Sequence, residues 1–521
     1  MTTDVKVNQQ VVQVGIGPVS ESDLVAVARG GAQVELTPES QQAIATARAV
    51  IESLASDVEP HYGISTGFGA LATKHIPPAR RAQLQRSLVR SHAAGSGPEV
   101  ERDVIRAMML LRLSTLATGH TGVKPATALT LAGLLNAGLT PVVYEYGSLG
   151  CSGDLAPLAH VALAMMGEGF VRDANSDLLP AAAAMATHGI EPVVLAEKEG
   201  LALINGTDGM LGQLLLACAD LDLLLRTADL TAALSVEAML GTDRVFAADL
   251  QALRPQPGQA VAAANMRAVL ADSPIVASHS GPDCTYVQDA YSMRCAPQVA
   301  GAARDTLAHA RLIAGYELRS AVDNPVIVDG DRVESNGNFH GAPVAYVLDF
   351  LAIPTADVAS MSERRTDRML DTARSRGLPP FLTDDAGVDS GHMIAQYTQA
   401  AIVSELKRLA APASVDSIPS SAMQEDHVSM GWAAARKLRR SVDGLTRVLA
   451  IELLSATRAL DLRAPLSPGV VGSAVVAALR ETVPGPGPDR YLAPEIAAAT
   501  EFVATGAAVA AANSVLARPL E

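Results

Sequence analysis

Five short polar runs interrupt an otherwise apolar chain: HYGISTGFG, RSHAAG, GSLGCSGDLAPLAH, NGTDG and QEDHVSM. Together they carry phenol, imidazole, hydroxyl, thiol, amide and carboxylate groups, the equipment of proton transfer and nucleophilic chemistry. A sixth run, VQDAYSMRCAPQ, sets Gln288, Tyr291 and Arg294 at three-residue steps. On a helix that spacing places all three near one face. A buried polar group without a partner costs roughly 1–3 kcal/mol. An apolar scaffold therefore keeps such runs where they can meet, and their convergence would form one polar pocket for a small molecule. Other chemistries rank low. There is no GxxxxGK[ST], and GIGPVS lacks the third glycine of a dinucleotide fingerprint. There is no HExxH, and the eleven histidines do not fall at ligand spacing, so no metal is expected. GCSGD approaches the G-x-S-x-G elbow, but Asp154 stands where its last glycine belongs.

The elements that must position these runs are mostly helical. Residues 10–36 alternate apolar and polar with glycine punctuation, which predicts short strands around a helix. Thr37 or Ser40 then caps a helix running through QQAIATARAVIESLAS. Glycine-rich breaks follow at 63–70, 146–154 and 205–212. Val344, Val347, Leu348 and Leu351 share one helix face, and Leu438, Val442, Leu445 and Leu449 form the seam of a long packed helix. Further long helices are expected at 213–240, 296–320 and 392–411, and PGPGPD is a loop. The expected architecture is mainly α: an N-terminal part over 1–205, mixed α/β in character, a central long-helix bundle over 206–480, and a C-terminal loop and helix over 481–521.

Composition narrows the partners. The 521-residue chain carries a formal charge of −15, which leaves no basic footprint for nucleic acid and nothing to attract an anionic membrane. Charged residues are 18% and apolar residues 49%, a balance that points to extensive burial, part of it between subunits. The longest uncharged run, Pro125 to Tyr144, has glycine, proline and polar interruptions and reads as helix, turn and strand, not a membrane span. Four scattered cysteines without CxxC pairing fit a reduced compartment, with Cys218, Cys284 and Cys295 as small apolar fillers. The start MTTDVKVNQQVVQ shows no secretory pattern. The reading expects a soluble cytoplasmic protein.

GSLGCSGDLAPLAH, at Gly147–His160, resembles the signature of the histidine and aromatic amino-acid ammonia-lyases. YGISTGFG, SHAAG, INGTDGM, DAYSMRCAPQ, DNPV, ESNGNFHG and QEDHVSM resemble family blocks in family order, so the likeness covers about residues 12–480 as one continuous unit. It implies the ammonia-lyase/fumarase-like long-helix bundle. It also implies a self-formed prosthetic group, 4-methylidene-imidazol-5-one (MIO), closing from Cys151, Ser152 and Gly153 with loss of two waters, and no external cofactor. The commoner first residue of that triplet is alanine. Cys151 here alters a substituent and not the atoms of the methylidene. Such an electrophile suits the reaction, because the β-proton of an amino acid is too weakly acidic for an ordinary base and the amine is a poor leaving group.

Carried over by motif, the resemblance implies Tyr62 as base for the β-proton, a role that needs a lowered phenol pKa. Tyr291 becomes a second phenol beside the amine. Arg294 clamps the substrate carboxylate, Asn205 and Gln288 orient carboxylate and amine, His92 and Glu425 hold an imidazole ring, and Phe339 lines the pocket. His160, His340 and His427 are read as hydrogen-bonding scaffold. The implied activity is elimination of ammonia from L-histidine to give trans-urocanate, in a homotetramer whose sites draw on three subunits. Two alternatives stand beside it. One is a lyase or 2,3-aminomutase for tyrosine or phenylalanine, which would carry other residues at Ser91-His92 and an amide at Glu425. The other is an inactive helical scaffold, against which every candidate group is present.

Overall fold

A computed structural model describes residues 10–57, 59–67, 69, 73–281 and 287–521. The alternating N-terminal pattern forms two parallel strands, Val11–Val14 and Gln33–Leu36, around the helix Glu21–Ala28. Val12, Val14, Val34 and Leu36 point inward on successive even positions, as period-two strands require. Ser20 caps the helix with a capping box, and Thr37 caps the next one, Pro38–Ala55, by accepting from the Ser40 amide. Pro125–Tyr144 is a helix (Pro125–Asn136) followed by the short strands Thr140–Pro141 and Tyr144–Tyr146, as the interruptions predict.

Contacts divide the chain into two compact units, each assembled from three stretches of sequence. The first takes Met1–Leu216, Arg311–Leu348 and Ala413–Arg436; the second takes Ala217–Ala310, Asp349–Pro412 and Lys437–Glu521. In the first unit the helix Arg102–Ala117 is buried from Val104 onward, and two arginines, Arg106 and Arg112, lie inside it with the leucines and methionines. Arg106 is satisfied by carbonyls, donating to Val27 and Leu135 at 3.0 Å each. The second unit is all helix among its described residues, apart from loops. There Glu452 lies buried between Arg365, whose Nη2 donates at 2.9 Å, and the hydroxyls of Thr231 and Ser235.

The predicted long helices form as Asp208–Ala238, Ala296–Glu317, Ala342–Leu370, Met393–Leu409 and Gly431–Asp461. Leu438, Val442, Leu445 and Leu449 are buried along the last of these, and Val344, Val347, Leu348 and Leu351 along the third. Ala342–Leu370 is long and apolar enough to cross a membrane, yet most of its apolar window is buried within the protein. Two readings need correction. The glycine-rich run 205–212 breaks the chain only to Thr207, since the helix begins at Asp208. Its glycines serve packing: a Cβ at Gly209 would lie 2.5 Å from the Trp432 ring, and one at Gly212 would press on Ala107 at 3.1 Å. Gln288 does not share a helix face with Tyr291 and Arg294, because the helix starts at Tyr291 with Ala290 as its cap.

Candidate active site

The loop 147–154 runs from the strand Tyr144–Tyr146 into the helix Leu155–Met165. The Gly153 amide donates back to the Gly150 carbonyl at 3.3 Å, closing a four-residue turn around Cys151 and Ser152. Ser152 sits at φ 52°, a left-handed conformation that costs a non-glycine residue about 1–2 kcal/mol. The segment 205–208 supplies the restraint. Asp154 donates its amide to the Gly206 carbonyl at 2.8 Å, and the Gly206 amide donates to the Ser152 carbonyl at 3.3 Å. Only glycine fits at either side of this seam: a Cβ on Gly153 would enter the Gly206 carbonyl, and one on Gly206 would enter the Arg112 guanidinium.

Behind the seam lies a buried charge scaffold. Arg112 pairs with Asp208, its Nε donating at 3.1 Å, and also donates to the Ala202 carbonyl at 3.0 Å. Lys198 pairs with Asp323 with both side chains buried, and Thr207 donates to Glu317. Asn205, next to the end of Glu199–Ile204, donates from Nδ2 to the Asn324 carbonyl at 2.8 Å. Removing one member of a buried pair costs roughly 3–5 kcal/mol, so these contacts hold the segment firmly. Asp154 accepts from the Met210 amide at 2.8 Å and the Ser148 hydroxyl at 3.0 Å. Burial nevertheless pushes its carboxyl up to about 7. Burial likewise raises Glu317 and lowers Lys198.

In front of the seam is a cavity of about 870 Å³, walled by residues of the first unit that include Tyr62, His92, Cys151, Ser152, Asn205 and Glu425. Five separated polar runs thus supply walls of one cavity. Tyr62 accepts the Gly69 amide on its hydroxyl at 3.3 Å. His92 ends the helix Pro78–His92. Its Nδ1 lies 2.9 Å from the Leu88 carbonyl, which can only accept, so in the neutral ring Nδ1 carries the proton and Nε2 is left as an acceptor. Burial lowers the His92 pKa and keeps the ring neutral, with Leu88 and Glu425 opposing. Burial first, and then Glu425, pushes the Cys151 thiol up to about 11.

The remaining candidates are placed elsewhere. Gln288, Tyr291 and Arg294 belong to the second unit, and none is among the cavity walls. Gln288 is exposed and Tyr291 is 70% exposed. The Arg294 guanidinium stacks 4.7 Å over the Tyr291 ring, while its Nε is buried without a hydrogen-bond partner. Phe339 is half-buried in the first unit and does not wall the cavity. The scaffold histidines are hydrogen-bonded: His160 Nε2 accepts the Gly95 amide at 3.0 Å, and His340 and His427 stack with ring nitrogens 3.2 Å apart. Cys218 is buried and Cys295 half-buried, while Cys284 lies outside the described residues.

Sequence reasoning missed Arg112, Lys198, Asp208, Glu317 and Asp323, and also Ser420, which walls the cavity beside Glu425. Arg112 had a signal, a lone charge in the apolar run AMMLLRLSTLA. A cation there needs a buried partner.

Residues 19–481 match the family described as aromatic amino acid lyase. The chain is 65% identical to a histidine ammonia-lyase of Streptomyces avermitilis, over 97% of this chain and 98% of that protein. It is 48% identical to one of Gloeobacter violaceus, over 93% and 94%. Among solved structures it resembles a tyrosine aminomutase from Streptomyces globisporus, with TM-score 0.92 and 38% identity over 98% and 100% of the two chains. A histidine ammonia-lyase from Trypanosoma cruzi gives TM-score 0.89 and 37% identity over 97% and 96%.

Proposed function

This chain belongs to the aromatic amino acid lyase family, and on that premise we propose that it eliminates ammonia from L-histidine to give trans-urocanate. The observation that carries this reading is the shared cavity of Ser152, His92 and Glu425. An imidazole N–H finds acceptors there, in the His92 Nε2 and the Glu425 carboxylate. A phenyl ring would offer neither a donor, a strong source of discrimination. The 65% identity to a histidine ammonia-lyase, against 38% to a tyrosine aminomutase, supports the same choice.

Cys151, Ser152 and Gly153 fit the MIO group. Their turn folds the Gly153 nitrogen back toward the start of the triplet, and only glycine fits at 153. The group, once closed, supplies an electrophilic carbon that activates the substrate for loss of ammonia. In this reading Tyr62 takes the β-proton and Tyr291 stands beside the amine. Arg294 clamps the carboxylate in a charge-assisted bond. Asn205 and Gln288 orient the amino-acid end, and Phe339, which does not wall its own chain's cavity, reaches the pocket from another subunit. The exposed Tyr291, and the absence of Gln288, Tyr291 and Arg294 from the walls of their own chain's cavity, support a homotetramer in which each site borrows these residues from another subunit. The protein works in the cytoplasm on a free amino acid, with no external cofactor, nucleic acid or membrane.

The test is one absorbance assay for arylacrylate products with histidine, tyrosine and phenylalanine in parallel. Urocanate forms fastest. Turnover of tyrosine or phenylalanine in preference to histidine would overturn the assignment.

A further inference from the structure

Glu425 is held by a short loop whose shape is costly. Ser421, Ala422 and Met423 all have left-handed backbone, at φ 49°, 52° and 70°. None is glycine, so each costs about 1–2 kcal/mol. The ends of the loop are tied by reciprocal backbone bonds: the Ser420 amide donates to the Glu425 carbonyl at 2.9 Å, and the Glu425 amide to the Ser420 carbonyl at 3.3 Å. Across this clasp the Ser420 hydroxyl donates to Glu425 Oε2 at 2.9 Å. Ser420, Ser421 and Glu425 all wall the same cavity as Cys151 and Ser152. The Cys151 thiol faces both Ser420 and Glu425, and because burial keeps it protonated it places no second negative charge beside the carboxylate. On the other side Gly69 backs the clasp, and a Cβ there would stand 2.9 Å from the Ser421 hydroxyl and 3.8 Å from Glu425 Oε1.

A carboxylate on a free side chain samples several rotamers, and ordering it costs entropy at each binding event. Here Oε2 is pinned by Ser420, the Cys151 thiol also reaches the carboxylate, and the carboxylate so held walls the cavity. We infer that Ser420 is a positioning residue for Glu425: its hydroxyl fixes the carboxylate so that one oxygen faces the substrate's ring, and this sets the site's selectivity for a ring bearing N–H. The inference rests on the histidine reading above and adds the residue that makes Glu425 selective. Ser420 itself touches no reacting atom.

The experiment is a double-mutant cycle on the purified full chain, with steady-state kinetics on histidine for wild type, Ser420→Ala, Glu425→Gln and the double variant. Ser420→Ala should lower kcat/KM about tenfold, the scale of one hydrogen bond to a charged group, with most of the loss in KM. Ser420→Thr, which keeps the donor, should restore most of it. In the Glu425→Gln background the same Ser420→Ala change should have less than about a twofold effect. All variants should keep the intact-mass deficit of two waters, about 36 Da, that marks ring closure. Ser420→Cys, with its size kept and a weaker donor, should lie between and serves if the alanine variant folds poorly. Full additivity of the two changes, or wild-type kinetics for Ser420→Ala, would overturn the role of Ser420 while leaving histidine as substrate. A wild-type enzyme with no histidine turnover would overturn both readings.

Discussion

The seam around Ser152 and the segment around Arg294 both carry family-like sequence motifs, yet they are built differently. At the seam Asp154, Gly206, Asp208 and Asn205 all have partners within the first unit, and the main-chain path admits only glycine at two positions. Around Arg294 burial is mixed: Val287 is 95% exposed and Tyr291 70% exposed, while Asp289, Ser292 and Met293 are buried. Arg294 itself has the Tyr291 ring beside it and a buried Nε. The first region is finished by its own fold. The second leaves Tyr291 exposed and the Arg294 Nε without a hydrogen-bond partner among the described residues. The electrophile proposed at Cys151-Ser152-Gly153 must be held rigidly from the start, because its formation would depend on main-chain geometry. In the proposed reading Arg294 is a carboxylate clamp, which needs only to arrive in the right place and so is supplied by another subunit.

The comparison can be broken most severely at Ser152. Ser152→Ala should fold but lose roughly three orders of magnitude or more in turnover, since a route used only on the way to the transition state is removed. Its mass should lack the full deficit of two waters, about 36 Da, whereas Cys151→Ala should retain that deficit because the cysteine contributes only a substituent. A Ser152→Ala enzyme with near wild-type turnover would show that the seam serves only to shape the cavity.

The second region is sharpened by mixing. Tyr62→Phe and Arg294→Ala, each inactive alone, should recover about a quarter of wild-type activity when their subunits are randomly mixed, if each site takes the two residues from different chains. No activity above the parents, with mixing verified by mass, would mean that one chain completes its own site.

The smallest effect concerns Asp154. Its folded pKa of about 7 lies above the ordinary carboxylate value of 3.8. The folded state therefore holds the proton more tightly than the unfolded chain. The stability this group contributes is present at low pH and is lost as pH rises from about 4 through about 7. Asp154→Asn removes that titration. Wild type should lose stability relative to the variant, by on the order of a few kcal/mol, as pH rises across that window, measured by denaturant unfolding. A difference independent of pH would show that Asp154 stays ionised.

Both regions were legible as motifs, but their surroundings were not. The seam of Leu438, Val442, Leu445 and Leu449, and the caps at Ser20 and Thr37, follow from local rules of spacing and hydrogen bonding, which act over a few residues. The helix at Asp208 hid behind its glycines, because propensity penalises glycine while the approach of Trp432 and Ala107 requires it. Gln288 was placed on the wrong element because three-residue spacing is helical only where a helix exists.

By itself, then, the sequence determined the triplet Cys151-Ser152-Gly153, the polar runs around it, the long helices and the family. Each of these is written in residues close together in the chain. Only the tertiary structure decided that Arg112 meets Asp208, that Lys198 meets Asp323, and that Ser420 holds Glu425 beside Cys151. The first two partnerships join residues about a hundred positions apart or more, and no local period encodes them. The third spans five residues, yet it depends on three left-handed residues that no propensity favours. A buried charge must find a partner, but which partner it finds is settled by packing.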